Sequence, residues 1–252
     1  MAVAPLVSHG SDETAADRPL IELVDVCKSY RKGKIRINVL SNLDLTIERG
    51  RFISLLGPSG SGKSTLLNLL GGLDTADSGV VRVAGDDLTQ LSEEQRTTWR
   101  SRNVGFVFQQ YHLIPVLSAA ENVEMPLRLF RMGRRERRRR VALALDLVGL
   151  ADRAAHRPGQ LSSGQEQRVA IARAFITDPK LILADEPTGD LDAENAEQIT
   201  ELLGVLSREI GKTIVMVTHD PRAAACASRE LHLDKGVLTT PRGTRRPLGK
   251  VR

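Results

Sequence analysis

The residues whose types and spacing could do chemistry begin with one loop, Gly57-Pro58-Ser59-Gly60-Ser61-Gly62-Lys63-Ser64-Thr65. It fits the pattern Gly-x4-Gly-Lys-[Ser/Thr]. Glycines permit backbone conformations that let N–H groups of a loop and of the following helix start converge on phosphate oxygens. Lys63 adds a mobile positive charge for β- and γ-phosphates, and the Ser64 hydroxyl is placed to ligate Mg²⁺. A second stretch, Leu181-Ile-Leu-Ala-Asp185-Glu186, is an apolar run ending in two carboxylates. Alternation at a strand end lets adjacent acids serve different partners. Asp185 can hold the Mg²⁺ shell, and Glu186 can orient and deprotonate an attacking water. Adjacent acids alone are common surface residues; the phosphate loop upstream turns the reading toward catalysis.

Both stretches need strands and helices to position them. Arg51 to Leu56 reads as a buried strand feeding the loop, and Ser64 to Leu70 as the helix leaving it. Leu20 to Val26 is an apolar strand-like run. Ile35, Ile37 and Val39 alternate with polar residues, as do Leu43, Leu45 and Ile47, which predicts two strands of an antiparallel sheet with one wet face. Ser92-Glu-Glu-Gln95 and Ser118-Ala-Ala-Glu121 are capping boxes. From Ser118 to about Arg157 the pattern is helical, interrupted at Pro126 and near Gly133. Leu161 to Thr177 and Ala193 to Ile210 read as helices, and Val104 to Phe108, Leu181 to Ala184 and Ile214 to Val217 as buried strands. Asp220-Pro221 caps a helix start. Leu231 to Leu238 predicts a closing hairpin. The whole reads as an α/β frame with an antiparallel β subdomain and a helical subdomain inserted at about 110–160.

The chain has 252 residues, of which 41% are apolar, 27% charged and 3% aromatic. No stretch approaches the ~18 apolar residues of a membrane span. Residues 1–19 lack the apolar core of a secretory signal and predict a disordered tail. Cys27 and Cys226 have no metal-site spacing and read as reduced thiols. The net charge is +5. Arg131 to Arg140 alone carries seven arginines against one glutamate, a net +6, and the tail at 240–252 a net +5. Subtracting both leaves −6 for the rest. Two local basic patches with few aromatics argue against a nucleic-acid partner. The arginine run fits a solvated helix face or a contact with lipid headgroups.

Leu161-Ser162-Ser163-Gly164-Gln165, followed by Gln167-Arg168-Val-Ala-Ile-Ala-Arg173, resembles the signature motif of ATP-binding-cassette ATPases. The other motifs of that family follow in order: Gln109 at the glutamine loop, Asp190-Leu191-Asp192 after the second acidic motif, His219 at the switch histidine, and Tyr30 at the adenine-stacking aromatic. The resemblance covers about Leu20 to Leu238, within an expected ATP-binding domain at 20–239. Leu69 to Asp74, Gln109 to Pro115 and Ala184 to Gly189 resemble the branch of lipoprotein-releasing, macrolide-exporting and cell-division cassettes.

The resemblance implies the fold, a P-loop NTPase core of ABC type, and ATP with Mg²⁺ as ligands. It also implies a homodimer in which each ATP lies between one phosphate loop and the other chain's signature. Ser162, Gly164 and their neighbours Ser163 and Gln165 would face that ATP from a helix start of partial positive charge. His219 would hold Glu186 and the water in register. Gln109 would bridge Mg²⁺ or the water to the helical insertion, Asp192 would act across the dimer, and Tyr30 would stack on adenine. Taken singly, His219 and Gln109 also fit plain surface residues, Asp192 a helix cap, and Tyr30 simple packing. The chain departs from the family at Ser163, usually glycine, and at Asp190, usually asparagine in this branch. Ser163 puts the hydrolysis rate in question; Asp190 adds charge near the dimer interface.

The function implied is the ATP-hydrolysing subunit of a transporter, at the inner face of the cell membrane. It would act on a separate integral membrane permease with an extracytoplasmic domain. Tyr111, His112 and Leu113 are the expected permease contacts. An alternative is a mechanical switch that controls an extracytoplasmic hydrolase without moving cargo. A soluble repair or translation cassette is disfavoured, because the chain has no long coiled coil and no second cassette.

Overall fold

The computed structural model describes residues 18–239. The tails expected at 1–19 and 240–252 lie outside them, apart from Arg18 and Pro19. Two sheets form the frame. The first is antiparallel, in the order β2-β1-β4-β5, from β1 (Ile21–Lys32), β2 (Ile35–Ile47), β4 (Ser78–Val83) and β5 (Asp86–Asp87). The second has the order β10-β9-β3-β8-β7-β6, from β3 (Phe52–Leu56), β6 (Val104–Phe108), β7 (Leu181–Asp185), β8 (Thr213–Val217), β9 (Arg229–Asp234) and β10 (Val237–Thr239). Its strands run parallel except for the β9–β10 hairpin.

The parallel strands read as continuous apolar runs because both of their faces are covered. Alternate residues feed two cores. Ile53, Leu55, Leu181, Leu183, Val215 and Val217 pack with the antiparallel sheet and with helix α1 (Lys63–Leu70). Phe52, Ile182, Ala184, Ile214 and Met216 pack on the other side, with α5 (Ser163–Phe175) and α6 (Ala193–Arg208). That second core also takes in α3 (Ala119–Glu124) and α4 (Arg134–Leu147), which lie between β6 and β7 in sequence. α2 (Glu93–Asn103) precedes β6, and α7 (Pro221–Ala225) follows β8.

Local signals set the ends of these elements. Ser92, Ser118 and Ser162 each form a reciprocal capping box. α3 passes into a 3-10 turn, Met125–Leu129, where Pro126 removes a backbone donor. Asp220 caps α7 with Pro221 at its first position. Two expectations differ from the structure. The two strands read between Ile35 and Ile47 are one strand, which stays paired with β1 through register shifts that fall between Leu23 and Ser29 of β1 and between Leu45 and Asn38 of β2. Its alternation also means different things along its length. Leu43, Leu45 and Ile47 are each 2% exposed, whereas Ile35 and Ile37 are 67% and 46% exposed. Period two reports the pleat, and only the Leu40–Ile47 half has a core beneath it.

Candidate active site

The phosphate loop, residues 57–62, spans the gap between β3 and α1. It is pressed against distant backbone. A Cβ on Gly57 would stand 2.1 Å from the Leu233 carbonyl oxygen, and one on Gly62 would stand 2.9 Å from that of Val39. Both glycines have positive φ, +155° and +105°, so any side chain there would displace the loop. Helix α1 starts with no side-chain cap and no acid in its first turn. Its first N–H groups and its positive dipole end are therefore left to an anion. Lys63, 8% exposed, donates from Nζ to the Gly57 and Pro58 carbonyls at 2.7 and 2.9 Å. The Ser61 hydroxyl is buried without a protein partner. Free N–H groups, a buried ammonium and an unmatched hydroxyl form a donor set that fits a polyphosphate.

The strand order places the acids. Asp185 on β7 is in register with Val217 on β8, so Glu186 emerges beside Thr218 and His219. The Glu186 N–H donates to the Val217 carbonyl at 3.0 Å, and its φ of +48° turns the side chain out of the strand. Glu186 Oε2 and His219 Nδ1 lie 2.9 Å apart. Burial pushes the Asp185 carboxyl up, with the Glu186 charge adding to it, while the Ser64 hydroxyl and Lys63 ammonium pull the other way. The Ser64 hydroxyl is thus near enough to favour the Asp185 charge, in a place where a cation would relieve the cost of a half-buried carboxylate. Among the described residues no three His, Cys, Asp or Glu gather to hold a metal. A hydroxyl with one carboxylate is a donor set that suits Mg²⁺ shared with phosphate oxygens and water.

The remaining expected site residues divide between two places. Tyr30 is 40% exposed, its hydroxyl donates to Asp74 at 2.6 Å, and the Lys28 ammonium stands 5.0 Å from its ring centroid. Thr65 is near enough to pull the Tyr30 pKa down against the effect of burial, so the phenol sits beside the start of α1. Gln109 follows Phe108, the register partner of Asp185, and donates from Nε2 to Asp190 Oδ1 at 2.8 Å. The signature lies elsewhere. Ser162 caps α5, accepting from the Gln165 N–H at 3.3 Å, and Gln165 accepts from the Ser162 N–H at 3.0 Å. Asp192 caps α6, with both oxygens on Asn195 at 2.8 Å. Those bonds, the Asn195 N–H foremost, hold its carboxyl below the usual range.

Three residues do structural work beyond what the motifs in the sequence indicate. A Cβ on Gly164 would stand 2.2 Å from Asn195 Oδ1, so the signature glycine is required by the start of α6 in the same chain. Asn122, fully buried, accepts from the Ile114 N–H at 2.8 Å and donates to the Ile114, Leu117 and Ser118 carbonyls. It ties the segment after the glutamine loop to α3. Arg173 on α5 donates to the Tyr111 and His112 carbonyls at 2.6 and 2.5 Å. Those two residues have positive φ, +37° and +49°, which non-glycine residues hold only when clamped. Of the expected permease contacts, His112 is exposed, while Leu113 packs partly into the second core. Val116, 71% exposed, is the free apolar side chain of that segment.

A family model described as ABC transporter matches residues 40–189. This chain belongs to the ABC transporter ATP-binding family. A cassette similar to it is the ABC transporter ATP-binding protein YknY of Bacillus subtilis, 46% identical over 231 residues, 92% of this chain and 100% of that one. The lipoprotein-releasing system ATP-binding protein LolD of Bordetella pertussis is 48% identical over 87% of this chain and 95% of its own. The macrolide export ATP-binding/permease protein MacB of Marinobacter nauticus is 44% identical over 93% of this chain, which spans 36% of that longer protein. Among solved structures, the dimeric cassette MJ0796 in a post-hydrolysis state with ADP and Pi aligns with TM-score 0.80 and 44% identity, over 89% of this chain and 100% of that one. The chain is an ABC ATPase of the branch that includes the lipoprotein-release and macrolide-export cassettes, on an α/β core of ABC type.

Proposed function

We propose that this ABC ATPase works as a homodimer, closes on ATP, and drives a separate integral membrane permease with an extracytoplasmic domain from the inner face of the membrane. The observation that carries the reading is the separation of the site into two halves. The phosphate loop and α1 belong to one face of the parallel sheet, and the signature helix α5 to the other. A nucleotide held by the first half meets a signature only if a second chain brings it. The dimeric state named for the MJ0796 structure and the transport systems named for LolD and MacB support the reading.

The residues then take these roles. Backbone from Gly57 through Pro58, Ser59, Gly60, Ser61 and Gly62 to Thr65 holds the phosphates, and Lys63 moves its ammonium from the loop carbonyls to the β- and γ-phosphates. Tyr30 stacks on adenine. Ser64, Asp185 and Gln109 would hold Mg²⁺. When bound, the ion neutralises charge between the β- and γ-phosphates. Glu186 accepts the proton of the attacking water, and His219 keeps that carboxylate oriented. Ser162, Ser163, Gly164, Gln165 and Asp192 face the partner's nucleotide.

Replacing Glu186 by glutamine keeps shape and removes the base. Glu186→Gln should lower hydrolysis by roughly 10²–10⁴-fold with ATP binding intact. Size exclusion should then show a monomer without nucleotide and a dimer with ATP. A variant that stays monomeric at saturating ATP would sink the two-chain site.

A further inference from the structure

Helix α4 carries an arginine array that its own stability does not explain. Arg134, Arg135 and Arg138 are exposed, and Arg138 is the i+4 neighbour of the first and the i+3 neighbour of the second. Arg131, also exposed, precedes the helix by three residues. Cations at a helix start oppose the dipole, and like charges three and four residues apart repel. The acid within reach is already committed. Arg139 and Arg140 both bind Glu136 at 2.9 Å and hold its carboxyl down to about 2. Arg137 is committed inward, to Glu124 at 2.9 Å and to the Met132 carbonyl at 2.6 Å. Among the described residues, Arg131, Arg134, Arg135 and Arg138 have no hydrogen bond or ion pair.

We propose that Arg131, Arg134, Arg135 and Arg138 form a contact surface for anionic phospholipid headgroups of the membrane that holds the permease. A guanidinium binds phosphate through paired N–H groups, and several side by side suit an anionic leaflet. Leu129, 74% exposed, stands two residues before the array, and apolar groups beside basic ones are the composition of a membrane-interface contact. The helix that carries the array is joined to the segment expected to meet the permease. Arg137 links α4 to α3 through Glu124, and Asn122 of α3 links to the exposed segment around Val116. No aromatic side chain is interleaved with the arginines, which disfavours a nucleic-acid strand.

The surface is testable without the permease, so its failure is separate from failure of the transporter reading. The full chain is floated with vesicles of phosphatidylcholine alone and of phosphatidylcholine with phosphatidylglycerol, at low and high salt. The wild type should float with the anionic vesicles only, and high salt should release it. The triple variant Arg134→Gln/Arg135→Gln/Arg138→Gln should partition on the order of 10²-fold more weakly, about fivefold per charge. Its basal ATP hydrolysis should be unchanged, which shows that it is folded. Equal flotation of variant and wild type would overturn the proposal. So would absence of vesicle binding together with salt-sensitive binding of polyglutamate, which would assign the array to an acidic protein segment.

Discussion

Ser163 stands exposed at the first position of α5, with its hydroxyl near enough to the Tyr111 phenol to pull its pKa down. Burial pushes that phenol up, the Asp190 and Glu166 charges add to it, and Ser163 pulls it back. Asp190 meanwhile accepts from Gln109. Both departures from the family pattern therefore touch the segment from Gln109 to Tyr111, and Asp190 is partnered within its own chain. The serine's extra atoms act on that loop as well as on the signature face. Ser163→Gly should leave basal hydrolysis unchanged or raise it, since it frees a backbone approach and cuts one tether. Phosphate release by the purified chain measures this. A loss beyond about tenfold, about 1.4 kcal/mol in the barrier, would show that the hydroxyl is a catalytic contact.

At the scale of elements, α5 is held near both of its ends. Its first turn packs on α6 through Gly164 and Asn195, and Arg173 near its end grips the backbone of Tyr111 and His112. A force on that loop reaches the signature through one rigid helix. Arg173→Met should keep the helix and drop both bonds, leaving two carbonyls unmet at a cost of about 1–3 kcal/mol. The expected outcome is a lower melting temperature and loss of permease-stimulated hydrolysis, with basal hydrolysis retained. Melting and stimulated turnover of the reconstituted complex read both. Wild-type stimulation in the variant would show that the loop transmits nothing through Arg173.

For the whole molecule, the antiparallel sheet and α1 on one side of the parallel sheet, and the helices α3 to α6 on the other, divide the nucleotide machinery. If the complete site needs two chains, turnover per chain depends on mass action. Specific activity should rise with concentration between about 10 nM and about 10 μM and then level off. A flat profile over that range would mean that one chain holds a complete site, or that the dimer exists without ATP. Dilution in ADP separates those two, since a standing dimer persists there and a monomer does not.

What the sequence determined by itself was local. The phosphate loop, the capping boxes at Ser92 and Ser118 and the proline-led start of α7 are each written within about four residues, because a cap or a tight turn closes its hydrogen bonds over that distance. The apolar strands were legible because burial on both faces leaves no room for polar side chains. The motif residues were legible as a set, through resemblance. Their pairing was not. Glu186 meets His219 across 33 residues, Gln109 meets Asp190 across 81, and Arg173 meets Tyr111 across 62. Each pair follows from strand order and from which face of the sheet a helix covers. The exposure of Ile35 and Ile37 was decided in the same way. Alternation tells which residues share a face, but only the packed molecule tells whether anything lies against it, since burial belongs to two surfaces and a sequence stretch describes one.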